Sequence, residues 1–300
     1  MHKSFLSTIQ TNPNADQHVD YAIAPRVSIV MPSFNQANFI ERSLLSVINQ
    51  GYANLELIVI DGGSSDATLS IIKKYEQYIA YWVSEPDQGQ SDALNKGFAR
   101  STGEILGWLN SDDIYMPGAI NQAVALFVKR PDKKIVFGDW LVIDEKDYCL
   151  AREYAFDMNI NHTKYEGVSV NAQAMFWQRE VHERFGSFDL ALYNTMDYQM
   201  LLAFGINEGE GAFFRLPSIL GCFRRYEGQK TGSVNFQRQL NEHRILAERY
   251  CYRDKYTWLG KSKRYYYRLR RGYWYFRRAG VVYCMKKLIG IHEIKPIIWR

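Results

Sequence analysis

From residue 27 the chain alternates short apolar runs with longer stretches of helical spacing. Val27-Ser28-Ile29-Val30-Met31 is rich in β-branched residues and stopped by Pro32, which predicts a buried strand. Phe39, Ile40, Leu44, Val47 and Ile48 recur at helical spacing across 36–50, with Gly51 as a stop. The rhythm repeats: a strand over 55–60 closed by Asp61-Gly62-Gly63, a helix from Asp66 to Tyr78, a strand over 79–83, a helix from Ser91 to Arg100. A fourth strand over 104–109 ends in Asn110-Ser111-Asp112-Asp113, and a helix from Pro117 to Arg130 starts with proline at the position where a missing N–H costs nothing.

Strands alternating with helices imply right-handed βαβ units and a mostly parallel sheet flanked by helices. Such sheets bind ligands beyond the C-terminal ends of their strands. Three polar loops fall there, Pro32–Asn35, Asp61–Asp66 and Asn110–Asp113, and should converge. After residue 134 the pattern shortens. Strands are expected over 135–137, 140–143 and 148–154, helices over 179–185 and 197–204, closing strands over 212–216 and 219–226, and a long helix from Val234 to Tyr252.

Composition sharpens this picture. In 300 residues, 47% hydrophobic and 23% charged residues suit a globular core and exclude a disordered or collagen-like chain. No apolar run approaches the ~20 residues of a membrane span, and the first residues lack the apolar centre of a signal peptide, so a cytoplasmic location is expected. The net charge of +5 hides a polarity: residues 249–300 hold 15 Lys/Arg against 2 Asp/Glu, and the rest of the chain is mildly acidic. The expected organisation is a polar N-terminal arm (1–24), an α/β domain (25–232) and a helical, basic and aromatic extension (233–300).

Adjacent carboxylates at a strand end, Asp112 and Asp113, are hard oxygen ligands suited to Mg²⁺ or Mn²⁺ beside a phosphate, although an isolated S-D-D is more often a solvated turn. Asp61-Gly-Gly-Ser-Ser-Asp66 could cap a helix, or let a nucleotide approach its N-terminus. The phosphate-loop and dinucleotide glycine signatures are absent. Asp139, in Gly138-Asp139-Trp140, is a further candidate for orienting an acceptor or metal, or a strand-end turn. Cys149, Cys222, Cys251 and Cys284 lie far apart, which fits reduced thiols rather than a zinc site.

Three stretches carry a family resemblance: VSIVMPSFNQANFIERSLLSVINQGYANLELIVIDGGSSDATLSII, EPDQGQSDALNKGFARSTGEILGWLNSDDIY and AQAMFWQREVHERFGSFDLALYNTMDYQMLLAF. In this order and spacing the chain resembles glycosyltransferase family 2, with the GT-A (Rossmann-like) fold, and the EPDQGQSDALNKG form is similar to the branch that builds bacterial surface polysaccharides. The resemblance implies a donor site of Pro32, Ser33, Phe34, Asn35, Asp61, Asp66, Asp87, Gly89, Asp92, Lys96 and Asp112. It implies a metal site of Asp113 and Asp112, with Asp113 the preferred ligand, and Asp197 as catalytic base. Departures are Gly62 for a second base-reading carboxylate, Asn110 for the first Asp of D-x-D-D, Leu94 for an arginine, Met196 for an acidic neighbour of the base, and Tyr226 where a histidine metal contact is usual.

The implied reaction is inverting, metal-dependent transfer of a sugar from a nucleoside-diphosphate donor to a hydroxyl of a glycan or polyprenyl-linked acceptor in surface-polysaccharide synthesis. A nucleotidyltransferase would want a glycine-rich, basic loop near the N-terminus, which 32–40 is not. A non-catalytic binding protein on the same fold would not need Asp112, Asp113 and Asp197 together. Residues 249–300 interleave their charges with 13 aromatics. That composition favours a helix lying on an anionic membrane, at the inner face of the plasma membrane, over a cap or oligomer contact, and either over nucleic-acid binding.

Overall fold

The computed structural model describes residues 24–168, 170–230 and 236–289. The arm expected over 1–24 therefore lies outside the described residues but for Ala24, as does 290–300. Among the described residues nine strands form one sheet in the order β3-β2-β1-β4-β8-β6-β9-β5, with β7 paired to the later half of β6. The parallel part is β1 (Val27–Ser33), β2 (Leu55–Asp61), β3 (Tyr81–Ser84) and β4 (Ile105–Trp108), paired as the βαβ pattern requires.

The crossover helices α1 (Ile40–Ile48), α2 (Thr68–Lys74) and α3 (Gln90–Arg100) divide between the faces. Alternation along β1 decides which side each takes. Val27, Ile29 and Met31 pack with Ile40, Leu44 and Val47 of α1, Ile72 of α2, and Ala123 and Phe127 of α4 (Ala119–Lys129). Val30 faces the other way, onto Leu94 and Phe98 of α3 and onto Met200 and Phe204 of α7 (Met196–Glu208). Each such fully buried side chain stabilises by roughly 1.5–3 kcal/mol relative to exposure.

The second half departs from the expected elements. The runs 135–137 and 140–143 are one strand, β6 (Ile135–Ile143), whose register shifts around Asp139. Likewise 212–216 and 219–226 merge into β9 (Phe213–Arg224), parallel to β6. Long-range pairing carries both through positions that look like breaks locally. The two-residue β5 (Ile114–Tyr115) and the antiparallel β8 (Met175–Gln178) have too little sequence to show a period, while β7 (Cys149–Glu153) falls where expected.

Short helices α5 (Ile160–Tyr165) and α6 (Arg179–Phe185) precede α7, and α8 (Phe236–Arg249) and α9 (Trp258–Ile289) close the chain. Leu246, Ala247 and Tyr252 pack on Leu192, Tyr198 and Leu202. Glu166, its side chain 4% exposed, accepts from Arg264, Arg268 and Arg271 of α9. The extension is thus packed on the sheet domain. No helix among the described residues is long and apolar enough to cross a membrane.

Two buried histidines set an acid limit on this core. His162 is 0% and His182 9% exposed, and His182 lies 4.3 Å from the Phe98 ring. Burial pulls each down to about 4, with Arg271 adding to the effect at His162 and Arg179 at His182. Free histidine titrates near ~6.5, so between ~6.5 and ~4 the unfolded chain binds more protons and stability falls as pH falls. The thermal midpoint should drop on going from pH 7 to pH 5, and His182→Phe should make that slope shallower. An unchanged slope in the variant would exclude His182 as a source.

Candidate functional site

The loop after β1 is held by the loop after β2. Asn35, at φ 51°, receives its backbone order from both ends: its N–H donates to Ser64 Oγ at 2.7 Å, and its Oδ1 accepts from Ser65 N at 2.9 Å. Asp61 has no exposed surface; its carboxylate accepts from Ser64 N and Oγ, Gly63 N and Ser84 Oγ. Pro32 and Ser33 are buried, while Phe34 stands 59% exposed just past the C-terminal end of β1. A Cβ at Gly62 would sit 2.7 Å from Asp87 Oδ2, so the glycine that departs from the acidic pair lets Asp87 close on this loop. Asp87 accepts from Gly89 N, and Gly89 turns into α3 at φ +101°. Burial raises the Asp87 carboxyl, and the charges of Asp92 and Asp61 add to that.

The turn after β4 is built on one buried carboxylate. Asp113 is 0% exposed; Oδ1 accepts from Arg224 N of β9 at 2.8 Å, and Oδ2 accepts from Asn110 Nδ2 at 3.0 Å. Burial pushes Asp113 well above the carboxylate range, with the Asp112 charge second. This explains Asn110: an aspartate there would set a second carboxylate against Asp113, whereas the amide donates. Asn110 Oδ1 accepts from Trp108 Nε1 and Gln90 Nε2, both at 2.7 Å. Asp112 points the other way. It is half-buried, and its Oδ2 accepts from Tyr226 OH at 3.0 Å, which in turn accepts from Gln36 Nε2 at 3.3 Å.

Asp197 sits in the first turn of α7, half-buried beside Tyr198 N, which donates to it at 2.7 Å; burial raises its carboxyl. Two ties carry α7 to the strand ends. Ser91 Oγ of α3 donates to Leu192 O at 3.2 Å, and buried Glu242 of α8 accepts from Tyr193 N, Asn194 N and Thr195 Oγ1. Lys230 reaches back over α3, donating to Gln90 Oε1 at 2.8 Å. Burial brings its ammonium down to about 8, against the pull of Asp197, Glu242 and Asp87. Lys230, Gln90, Asn110 and Asp113 therefore form one hydrogen-bonded chain from the α7 side to the β4 turn.

Not every candidate joins this set. Asp113 is closed inside, whereas Asp112 keeps part of its surface exposed. Asp66 is exposed just ahead of α2 and accepts from Thr68 N and Ala37 N; although burial raises it, Thr68 and Ala37 bring its carboxyl below the usual range. Lys96 is spent on Glu85 at 2.9 Å and Asp92 at 3.3 Å, and Asp92 also accepts from Gln88 N. Asp139 is buried under Arg152 and Arg215, which marks a structural ion pair. Lys230, Gln90 and Glu242 were not picked out from the sequence. Gln90 lies inside the D-Q-G-Q run, but nothing local marks Lys230 or Glu242.

The site could hold a divalent cation in one way. Among the described residues no three His, Cys, Asp or Glu gather around a point. Asp112 offers a single hard carboxylate, which is how Mg²⁺ and Mn²⁺ bind when substrate phosphates and waters fill the shell.

The sheet is Rossmann-like, with acidic loops gathered at the C-terminal ends of its parallel strands. The glycosyl transferase family 2 profile matches residues 28–186, and the chain belongs to that family. An uncharacterized glycosyltransferase of Rickettsia prowazekii is 30% identical over 208 residues, covering 65% of this chain and 61% of that one. The chondroitin synthase of Pasteurella multocida is 27% identical over 264 residues, covering 84% of this chain and 26% of the synthase. The chain thus spans about three fifths of the first relative. The fold is shared with S. aureus TarS solved with UDP-GlcNAc (TM-score 0.56, 15% identity, 69% of this chain and 61% of that one). It is shared too with a mannosyltransferase of Pyrobaculum calidifontis solved with GDP-Man and Mn²⁺ (TM-score 0.58, 17% identity, 90% and 81%). These establish the GT-A fold.

The two neighbouring aspartates should separate in experiment. Asp113→Ala leaves Arg224 N and Asn110 Nδ2 without their acceptor and should lower stability by about 1–3 kcal/mol. Asp112→Asn should leave the denaturation midpoint nearly unchanged. Equal midpoints for Asp113→Ala and wild type would contradict the anchoring role.

Proposed function

We propose that the chain is an inverting, metal-dependent enzyme that moves a sugar from a nucleoside-diphosphate donor to a hydroxyl of a glycan or polyprenyl-linked acceptor. We place it in cell-surface polysaccharide synthesis, at the cytoplasmic face of an anionic membrane. The observation that carries this reading is the hydrogen-bonded chain Lys230–Gln90–Asn110–Asp113, which runs from the cation near half-buried Asp197 to the residue beside half-buried Asp112. The chondroitin synthase relative supports a polysaccharide product, and the neighbours holding UDP-GlcNAc and GDP-Man support a nucleotide-sugar donor.

In this mechanism the loops 32–35 and 61–65 receive the nucleoside, with Asp87 and Gly89 on the donor side. Asp112 would hold Mg²⁺ or Mn²⁺, which supplies positive charge to the departing diphosphate. Lys230 adds a second positive charge close to Asp87 and Asp197. Asp197 takes the proton from the acceptor hydroxyl as its oxygen attacks C1. The bond from C1 to the diphosphate breaks on the opposite face, so one displacement inverts the anomeric centre. The burial that raises the Asp197 carboxyl makes it a better proton acceptor than a solvated aspartate.

Asp197→Asn should lower kcat by ~10²–10⁴-fold with the donor KM little changed. Because the base must be ionised, the wild-type rate should fall as pH drops through a value above the ordinary aspartate range. A variant that loses donor binding in proportion to turnover would make Asp197 a donor ligand instead.

A further inference from the structure

Helix α9 uses its two faces differently. Inward, Tyr267 stacks on Tyr165 with centroids 6.1 Å apart, Trp274 meets Phe156 edge-on at 5.3 Å, and Arg264, Arg268 and Arg271 close on Glu166. Outward, Trp258 (82% exposed), Tyr265 (64%), Leu269 (55%), Tyr273 (66%) and Phe276 (51%) follow one another at helical spacing. At about 3.6 residues per turn they form one stripe along the helix. Val281, Val282 and Met285 extend the exposed apolar surface past the break at Gly280. A helix that only capped the domain would turn its apolar side in and its polar side out. Here the solvent side carries large apolar groups as well.

Cations border the stripe on both edges. Arg270 and Arg277 each follow a stripe residue by one position, about 100° round the axis in one direction, and Lys261 lies about 60° round in the other from Trp258. All three are exposed, and none enters an ion pair among the described residues. An aromatic-aliphatic stripe edged with unpaired cations fits a lipid interface: Tyr and Trp settle at headgroup depth, and Lys and Arg meet anionic headgroups. The same edges repel a second copy of this helix. Leu269, Val281, Val282 and Met285 have no ring face on which a base could stack, which disfavours single-stranded nucleic acid.

We propose that the outward face of α9 lies on an anionic bilayer while its inward face fixes the helix to the sheet domain. This deepens the membrane placement proposed above by naming the surface. Its test uses neither donor nor acceptor, so it stands or falls apart from the transfer chemistry. Deleting α9 would also strip Glu166 of its three guanidinium partners, so exposed point changes are the cleaner probe.

Full-length protein should co-sediment with vesicles of phosphatidylcholine containing phosphatidylglycerol, more weakly as salt rises, and far less with pure phosphatidylcholine. The triple variant Leu269→Ser, Tyr273→Ser, Phe276→Ser should bind at least about tenfold more weakly. The charge variant Lys261→Glu, Arg270→Glu, Arg277→Glu should lose at least as much. Both should keep the wild-type circular dichroism and thermal midpoint. The proposal is overturned if wild type ignores anionic vesicles, or if folded variants bind as wild type does. It is overturned equally if the stripe variant splits a dimer seen by light scattering, or if single-stranded RNA captures the protein in preference to vesicles.

Discussion

The carboxylate of Asp113, buried between Arg224 N and Asn110 Nδ2, is the tie on which the site depends. It joins the turn after the last parallel strand to the far end of β9, across more than a hundred residues of sequence. Everything that follows Arg224 starts from that point, including Tyr226 on Asp112 and Lys230 on Gln90. Such a carboxylate is costly to bury, and it is tolerated because both of its oxygens are met by fixed donors. Its neighbour Asp112 is left to face outward.

The second constraint is the coupling of two halves that fold separately in sequence. The parallel half supplies loops 32–35, 61–65 and 110–113. The later half supplies Asp197 and Lys230. Helix α3 lies between them, giving Ser91 to Leu192 O on one side and Gln90 to Asn110 and Lys230 on the other. Glu242 of α8 then fixes residues 193–195 ahead of α7. The base candidate is therefore held from both sides, and its position relative to the β4 turn rests on hydrogen bonds rather than on chain connectivity.

Much of this was legible beforehand where chemistry is local. The period of the first four strands and their crossovers, and the placing of Asp61, Asp87, Asp112 and Asp197 at element ends, follow from residues a few positions apart. What failed to show depends on long-range pairing. β6 and β9 each run through a local break because they pair with each other, and nothing near Asp113 or Asp112 says which one Arg224 will claim. Asp66 accepts from Ala37 N and Lys96 pairs with Glu85, contacts that no local pattern announces. Lys230 and Glu242 act through contacts 140 and about 48 positions away, respectively, beyond any motif. The tail's composition shows basic and aromatic residues but not that α9 would divide its aromatics between two faces.

The central claim is that the sheet edge binds a nucleoside-diphosphate sugar through Asp112 and a divalent cation. Thermal denaturation with a panel of nucleotide sugars, with and without Mn²⁺, tests it most directly, since a ligand of the native state raises its midpoint. The account predicts that at least one nucleotide sugar raises the midpoint of wild type in the presence of Mn²⁺. It predicts that the rise disappears with EDTA and in Asp112→Asn. A panel that shifts nothing, or a shift as large in Asp112→Asn and without metal as in wild type with Mn²⁺, would contradict it.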